Sequence, residues 1–219
     1  MKNILCVKWG NKYSSEYVEK LKQQIEKHCS YDFNFYCLTD KPEKEYDLRL
    51  PQLWDKYFIP NQFWAYRKLY MFNEKLFLNM QGEEFLFFDL DVFFHNSIDY
   101  FFELEMSKPW IVRGWWNDLE HCKKNYNKGI SPLINSSVIR WNRGQLKDIY
   151  HHIEANIEYI FFTYKTIDNY FNRVWYDIRN DKSEKFNLFE KNKIYSWYKG
   201  NIFPDDMKTN ILRKDHIVC

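Results

Sequence analysis

Apolar and polar positions along this chain follow two periods. "NILCVKW" (3–9) is a short apolar run with the length and composition of a buried strand. After it, Val18, Leu21, Ile25 and then His28 or Cys29 recur at helical spacing. Ser14 or Ser15 is placed to cap that helix, and Glu16 and Glu19 suit its positive end. "FNFYCLTD" (33–40) is a second strand. Strand, helix, strand implies a right-handed crossover and a parallel sheet. The Pro-containing stretch 41–60 reads as an irregular connection. Residues 61–77 predict a helix with Ala65, Leu69, Phe72 and Leu76 on one face, and "GEEFLFFDLDVFF" (82–94) a strand.

Further on, 96–104 predicts a short capped helix, and 109–116 and 133–141 two apolar strands. The polar stretch between them, 117–132, reads as a mobile loop. Leu146, Ile149, Ile153, Ile157 and Ile160 form one stripe of a helix over 144–162, and 166–176 continues as another. The remainder alternates short apolar runs with Gly, Pro and Lys, the pattern of a C-terminal wrap.

Composition narrows the class. At 219 residues the chain suits one sizeable domain. Aromatic residues are 21% of it, enough to fill a core and leave rings for a cleft; Trp115 and Trp116 are candidates either to stack on a sugar ring or to pack. The balance of 32 basic and 30 acidic residues gives no electrostatic footprint for nucleic acid. The five cysteines form no C-x-x-C pair, which speaks against a disulfide framework or a zinc knuckle. The N-terminal apolar run is too short for a signal peptide, and no stretch reaches the ~18–20 apolar residues of a membrane span. The expectation is a soluble, cytoplasmic protein.

One segment carries candidate chemistry. In "EEFLFFDLDVFFHNSID" (83–99), Asp89 and Asp91 interrupt large apolar side chains. Buried carboxylates are costly without partners. If the strand stays extended through 91, residues i and i+2 project from one face. In an open parallel sheet that position, the carboxyl end of a strand, faces the ligand crevice. Two carboxylates held there repel each other, and a hard divalent cation such as Mg²⁺ or Mn²⁺ relieves the repulsion. Phe93 and Phe94 rule out a D-x-D-x-D-G calcium loop. The plainer alternative is that the pair caps a turn or meets Lys or Arg.

With these residues in view, the chain resembles the GT-A glycosyltransferases, nucleotide-sugar-dependent enzymes with a D-x-D metal motif. "ILCVKWGNKYSSEYVEKLKQQI…FYCLTDKPE" resembles the family's nucleotide-binding opening, "FWAYRKLYMF" its basic helix and "FLFFDLDVFF" its metal strand. "INSSVIRWNRG" is similar to its Asn-Ser-Gly strand beside the donor sugar, and "TIDNYF" to the segment with an Asp at the sugar end.

The resemblance implies an α/β fold, a Rossmann-like, mostly parallel central sheet flanked by helices. It implies a single domain, with 1–95 as the nucleotide half and 96–219 as the acceptor half and wrap. It implies that Asp89 and Asp91, with Leu90 between them, hold Mn²⁺ or Mg²⁺ against a donor diphosphate of UDP or GDP type. Val7, Lys8, Trp9 and Asp40 would line the base and ribose site, and Arg67 and Lys68 would meet phosphate or ribose. Asn135 and Ser136 would contact the donor sugar or acceptor, and Asp168 would bind the acceptor or act as base.

Two departures stand out. Ser137 replaces the usual glycine, so closer approach to the sugar is expected to be lost. At Cys219 many relatives continue into a Phe-His-Gly segment whose His completes the metal shell, so the expectation is an open, weak or water-completed metal site, or a truncated chain.

The function expected is metal-dependent transfer of a sugar from a nucleotide sugar to a glycan, lipid-linked or protein hydroxyl acceptor. A non-catalytic carbohydrate- or nucleotide-binding relative is the alternative. A sugar-phosphate nucleotidylyltransferase would want a Gly-rich, Arg-containing loop after the first strand, and "GNKYSSEY" does not supply one.

Overall fold

Strand β1 (Lys2–Lys8) and strand β4 (Glu84–Phe88) are buried on both faces, as their unbroken apolar runs require. Their alternate residues sort into two cores. Leu5, Phe85 and Phe87 enter one; Ile4, Cys6, Leu86 and Phe88 enter the other. The computed structural model describes residues 1–57, 64–115, 117–126, 132–164, 166–191, 193–197 and 211–214.

A seven-stranded sheet runs in the order β3-β2-β1-β4-β7-β6-β8. Its members are β1, β2 (Phe33–Thr39), β3 (Asp47–Arg49), β4, β6 (Trp110–Arg113), β7 (Ile134–Asn142) and β8 (Asn187–Leu188). The sheet is mostly parallel, and β7 runs antiparallel to both of its neighbours, β4 and β6. This reversal places the first residues of β7 beside the carboxyl end of β4. In a second sheet β10 (Ile211–Lys214) lies between β5 (Val92–Phe94) and β9 (Ile194–Trp197).

Helix α1 (Ser15–His28) buries Val18, Leu21 and Ile25 against the second core, as its spacing predicts, and the short helix α2 (Tyr100–Glu103) adds Phe101 and Phe102 to it. On the opposite face lie helix α4 (Lys147–Thr163), helix α5 (Ile167–Val174) and the segment around Tyr66–Phe72. α4 buries Ile149, Ile153 and Ile160 and is kinked at Asn156. Asn156 donates its side-chain amide to the His152 carbonyl at 2.9 Å, the local competition that makes Asn a poor mid-helix residue.

Three expectations change, and one alternative is decided. The helix read over 61–77 is two 3₁₀ segments, Trp64–Phe72 and Glu74–Phe77, separated by Asn73. From Tyr66 to Phe72 all but Lys68 are buried, so this is an enclosed element and not an amphipathic surface helix. The strand read over 82–94 stops at Phe88, turns through Asp89–Asp91 and resumes as β5. The loop read over 117–132 contains helix α3 (Leu119–Asn125), whose start Asp118 caps by accepting from the His121 amide at 2.6 Å. Trp115 packs, donating its indole N–H to the Phe189 carbonyl at 2.8 Å, while Trp116 lies outside the described residues.

Arg140 on β7 is fully buried. It donates to Glu84 Oε1 at 2.6 Å and to the carbonyls of Trp141, Phe85 and Phe101. Burial pulls its guanidinium down to about 10, and Glu84 acts against that shift. The pair ties β7 to β4 below the carboxyl end where the site forms. Cys6, Cys29, Cys37 and Cys122 are free thiols. Among the described residues no helix is long and apolar enough to cross a membrane.

Candidate active site

Beyond Phe88 the chain leaves the sheet in a turn closed by the Val92 amide on the Asp89 carbonyl at 3.3 Å. The turn, and not an extended strand, brings Asp89 and Asp91 to one place. Both line a cavity of about 170 Å³ with Val7, Trp9, Lys12, Tyr13, Ala65, Lys68 and Leu90. The cavity sits where β1 and β4 end, the crevice expected of an open α/β sheet. Two larger hollows, of about 510 and 500 Å³, are open surface depressions, one lined by Pro109 and Gly144 and the other by Trp175, and they share Glu184 and Lys185.

Each carboxylate has its own partner. Lys68 Nζ lies 2.6 Å from Asp89 Oδ1 and 2.8 Å from Asp89 Oδ2. It also reaches Ser136 Oγ at 3.4 Å. The Tyr13 hydroxyl donates to Asp91 Oδ2 at 3.1 Å. Tyr13 follows β1 through a turn at Gly10, whose φ of 58° is in the left-handed region that favours glycine. The Gly10 amide faces both oxygens of Asp40, at 3.3 and 3.4 Å, which joins the ends of β1 and β2.

Arg67 is buried, with its guanidinium carbon 3.3 Å from the centre of the Trp9 ring. The planar guanidinium stacks on the indole and leaves that ring fixed at the cavity wall.

The third part comes from β7 and α5. Asp168, in the first turn of α5, accepts from the Ser136 amide at 2.8 Å on Oδ1 and from the Asn135 side-chain amide at 3.1 Å on Oδ2. Thr166 caps that helix, accepting from the Asn169 amide at 3.1 Å. The Tyr66 hydroxyl donates to the carbonyls of Tyr164 and Thr166, so the enclosed 3₁₀ segment also fixes the start of α5. Ser137, the residue in the glycine position, turns its amide and its hydroxyl onto Asn135 Oδ1. The Asp89 amide bonds the Ser137 carbonyl at 2.9 Å. A continuous chain of contacts therefore runs Asp91–Tyr13 on one side and Asp89–Lys68–Ser136–Asp168 on the other.

Of the residues singled out in the sequence, Val7, Trp9, Lys68, Asp89, Leu90 and Asp91 line the cavity. Arg67 backs Trp9, and Asn135, Ser136 and Asp168 form the adjoining cluster. Lys8 is not among the lining residues and Asp40 stands behind Gly10. Sequence reasoning missed Lys12 and Tyr13. Their signal was position alone, since the loop after β1 must cross the carboxyl edge of the sheet. His151 is exposed, and His152 is engaged with the Tyr170 hydroxyl at 2.8 Å, both away from the cavity. His216 lies outside the described residues.

Asp89 and Asp91 supply hard oxygen donors on one wall. Among the described residues no third His, Cys, Asp or Glu joins them. Such a pair fits Mg²⁺ or Mn²⁺, which take one or two carboxylates and complete their shells with water and substrate phosphates.

No family model matches the sequence, and no curated protein matches it. Solved structures do match. The galactosyltransferase LgtC, in complex with donor and acceptor sugar analogs, superposes with a TM-score of 0.64 at 12% identity, over 98% of this chain and 87% of that one. A glycosyltransferase involved in glycosylation of the major capsid of PBCV-1 gives 0.58 at 14%, over 97% and 93%. Mouse xyloside xylosyltransferase 1 gives 0.54 at 12%, over 98% and 97%. This is the GT-A glycosyltransferase fold. At these identities the GT-A likeness is one of architecture, and chemistry has to be argued from the side chains.

Proposed function

We propose that the protein is a glycosyltransferase that moves a sugar from a nucleoside-diphosphate sugar to a hydroxyl acceptor. The observation that carries this reading is the convergence of Asp89, Asp91, Lys68 and Trp9 on one cavity at the strand ends of a GT-A fold. Asn135, Ser136 and Asp168 adjoin it through Lys68.

The cavity is smaller than the ~300–1,000 Å³ of a drug-sized ligand site, so it takes the diphosphate end of the donor and not the whole molecule. Trp9, held flat by Arg67, offers an aromatic wall toward the nucleoside, with Val7, Lys8 and Asp40 on the same edge. Asp89 and Asp91 would hold Mn²⁺ or Mg²⁺, which would supply charge neutralisation for the leaving diphosphate. Lys68 and Lys12 add charge-assisted contacts to the same oxygens. Asn135 and Ser136 face the sugar, and Asp168 receives or orients the acceptor hydroxyl. Both Asp168 oxygens already accept a hydrogen bond, so its orientation is set before substrate arrives. Residues 1–95 then serve the nucleotide and 96–219 the acceptor.

Calorimetric titration of UDP and GDP with and without Mn²⁺ tests this, on the protein and on the Asp89→Asn/Asp91→Asn double variant. Metal-dependent nucleotide binding that the double variant loses is the expected result. Absence of binding to both nucleotides under every metal condition overturns the reading.

A further inference from the structure

The two carboxylates of the cavity meet different side chains. Asp91 accepts from a neutral hydroxyl, Tyr13, while Asp89 is clasped by the Lys68 ammonium on both oxygens. A hydroxyl donor stays in place when a carboxylate takes a metal and orients it from the second layer. An ammonium cannot. A bound Mg²⁺ or Mn²⁺ sits roughly 2.1 Å from its carboxylate oxygen. Lys68 Nζ at 2.6 Å from Oδ1 and 2.8 Å from Oδ2 would then face a divalent charge at close range in a partly desolvated pocket. The Lys68 and Asp89 side chains are only 15% and 13% exposed, so water does little to screen that repulsion.

We propose that Lys68 is the resident counter-ion of Asp89, which an entering divalent cation must displace and which the donor diphosphate then receives. This rests on the reading of the site given above and adds its regulation. Nζ also lies 3.4 Å from Ser136 Oγ in the adjoining cluster, a second polar contact that remains to the ammonium when it leaves Asp89. Without a nucleotide, Lys68 keeps the cavity neutralised and competes with the metal. With a diphosphate present, the ammonium gains anionic oxygens to replace Asp89, and the competition is relieved. Metal and nucleotide therefore help each other bind, and by linkage the effect is reciprocal.

The test is Mn²⁺ binding to the full chain, read from the electron paramagnetic resonance signal of free Mn²⁺, with and without UDP or GDP. Wild type is compared with Lys68→Met, Lys68→Gln, Tyr13→Phe and the Asp89→Asn/Asp91→Asn double variant, after thermal melts confirm that each is folded. Without nucleotide, both Lys68 variants are expected to bind Mn²⁺ several-fold more tightly than wild type, and Tyr13→Phe more weakly or equally. The enhancement of Mn²⁺ affinity by nucleotide is expected to shrink in the Lys68 variants. Unchanged or weaker Mn²⁺ binding in both Lys68 variants overturns the proposal while leaving the metal site standing. Mn²⁺ binding that survives in the double variant, or is absent from every protein in both states, overturns the metal site itself and the proposal with it.

Discussion

Asp168 bridges helix α5 and strand β7 by accepting from the Ser136 amide at 2.8 Å and from the Asn135 side chain at 3.1 Å. One carboxylate thus fixes both residues that face the proposed sugar position, and it stands one contact from the Lys68–Asp89 pair. The tie between helix and strand and the candidate chemistry meet at this side chain.

Asp168→Asn separates its roles. The new amide still offers one oxygen to the Ser136 N–H, but its NH₂ opposes the donating amide of Asn135. The expected stability loss is about 1 kcal/mol, one net hydrogen bond. If the carboxylate serves as base, transfer falls by ~10²–10⁴ while nucleotide affinity holds. Denaturant midpoints and single-turnover sugar transfer check the two effects separately.

Glu84→Ala strips the buried Arg140 of its anionic partner. Leaving such a charge uncompensated costs about 3–5 kcal/mol. Glu84→Gln keeps a neutral acceptor and is expected to cost less. Urea denaturation of both variants measures the order; equal losses would show that a neutral acceptor replaces none of the charge pairing, and no loss in either would show that the pairing contributes nothing.

His28 predicts an acid-side loss of stability. Burial, then Lys27 and His95, lower its pKa below the ordinary 6.5, against a smaller opposing contact from the Asn96 backbone. On acidification the unfolded chain therefore takes up this proton first. The contribution is fully present above about pH 6.5 and is lost as pH falls through the lowered folded value. His28 packs edge-on against Phe94, 6.2 Å between ring centres, so α1 and β5 share the effect. The urea midpoint of His28→Gln should depend less steeply on pH below 6.5 than that of wild type; identical profiles would rule the contribution out.

The early strands and helices were legible because their burial is local in origin. Ile4, Leu5 and Cys6 lie in a run too apolar to face water, and Val18, Leu21 and Ile25 can share a face only on a helix. The α3 helix was missed because its signals are an Asp118 cap and a basic last turn without an apolar stripe. The 3₁₀ geometry of Trp64–Phe72 was missed because enclosure by neighbouring elements, not sequence period, governs a segment buried nearly all round.

The sequence by itself determined that two aspartates follow a doubly buried strand, because no other reading places "FLFF" in a folded chain at low cost. It also determined the parallel opening, through the right-handed crossover that strand–helix–strand demands. Only the tertiary structure decided which residues meet those aspartates. Lys68, Tyr13, Ser136 and Asp168 lie up to 155 positions apart, between Tyr13 and Asp168, and no local pattern ties them. They converge because β7 runs against β4, which turns its first residues toward the carboxyl end of the sheet, and hydrogen bonds across that reversal hold them there.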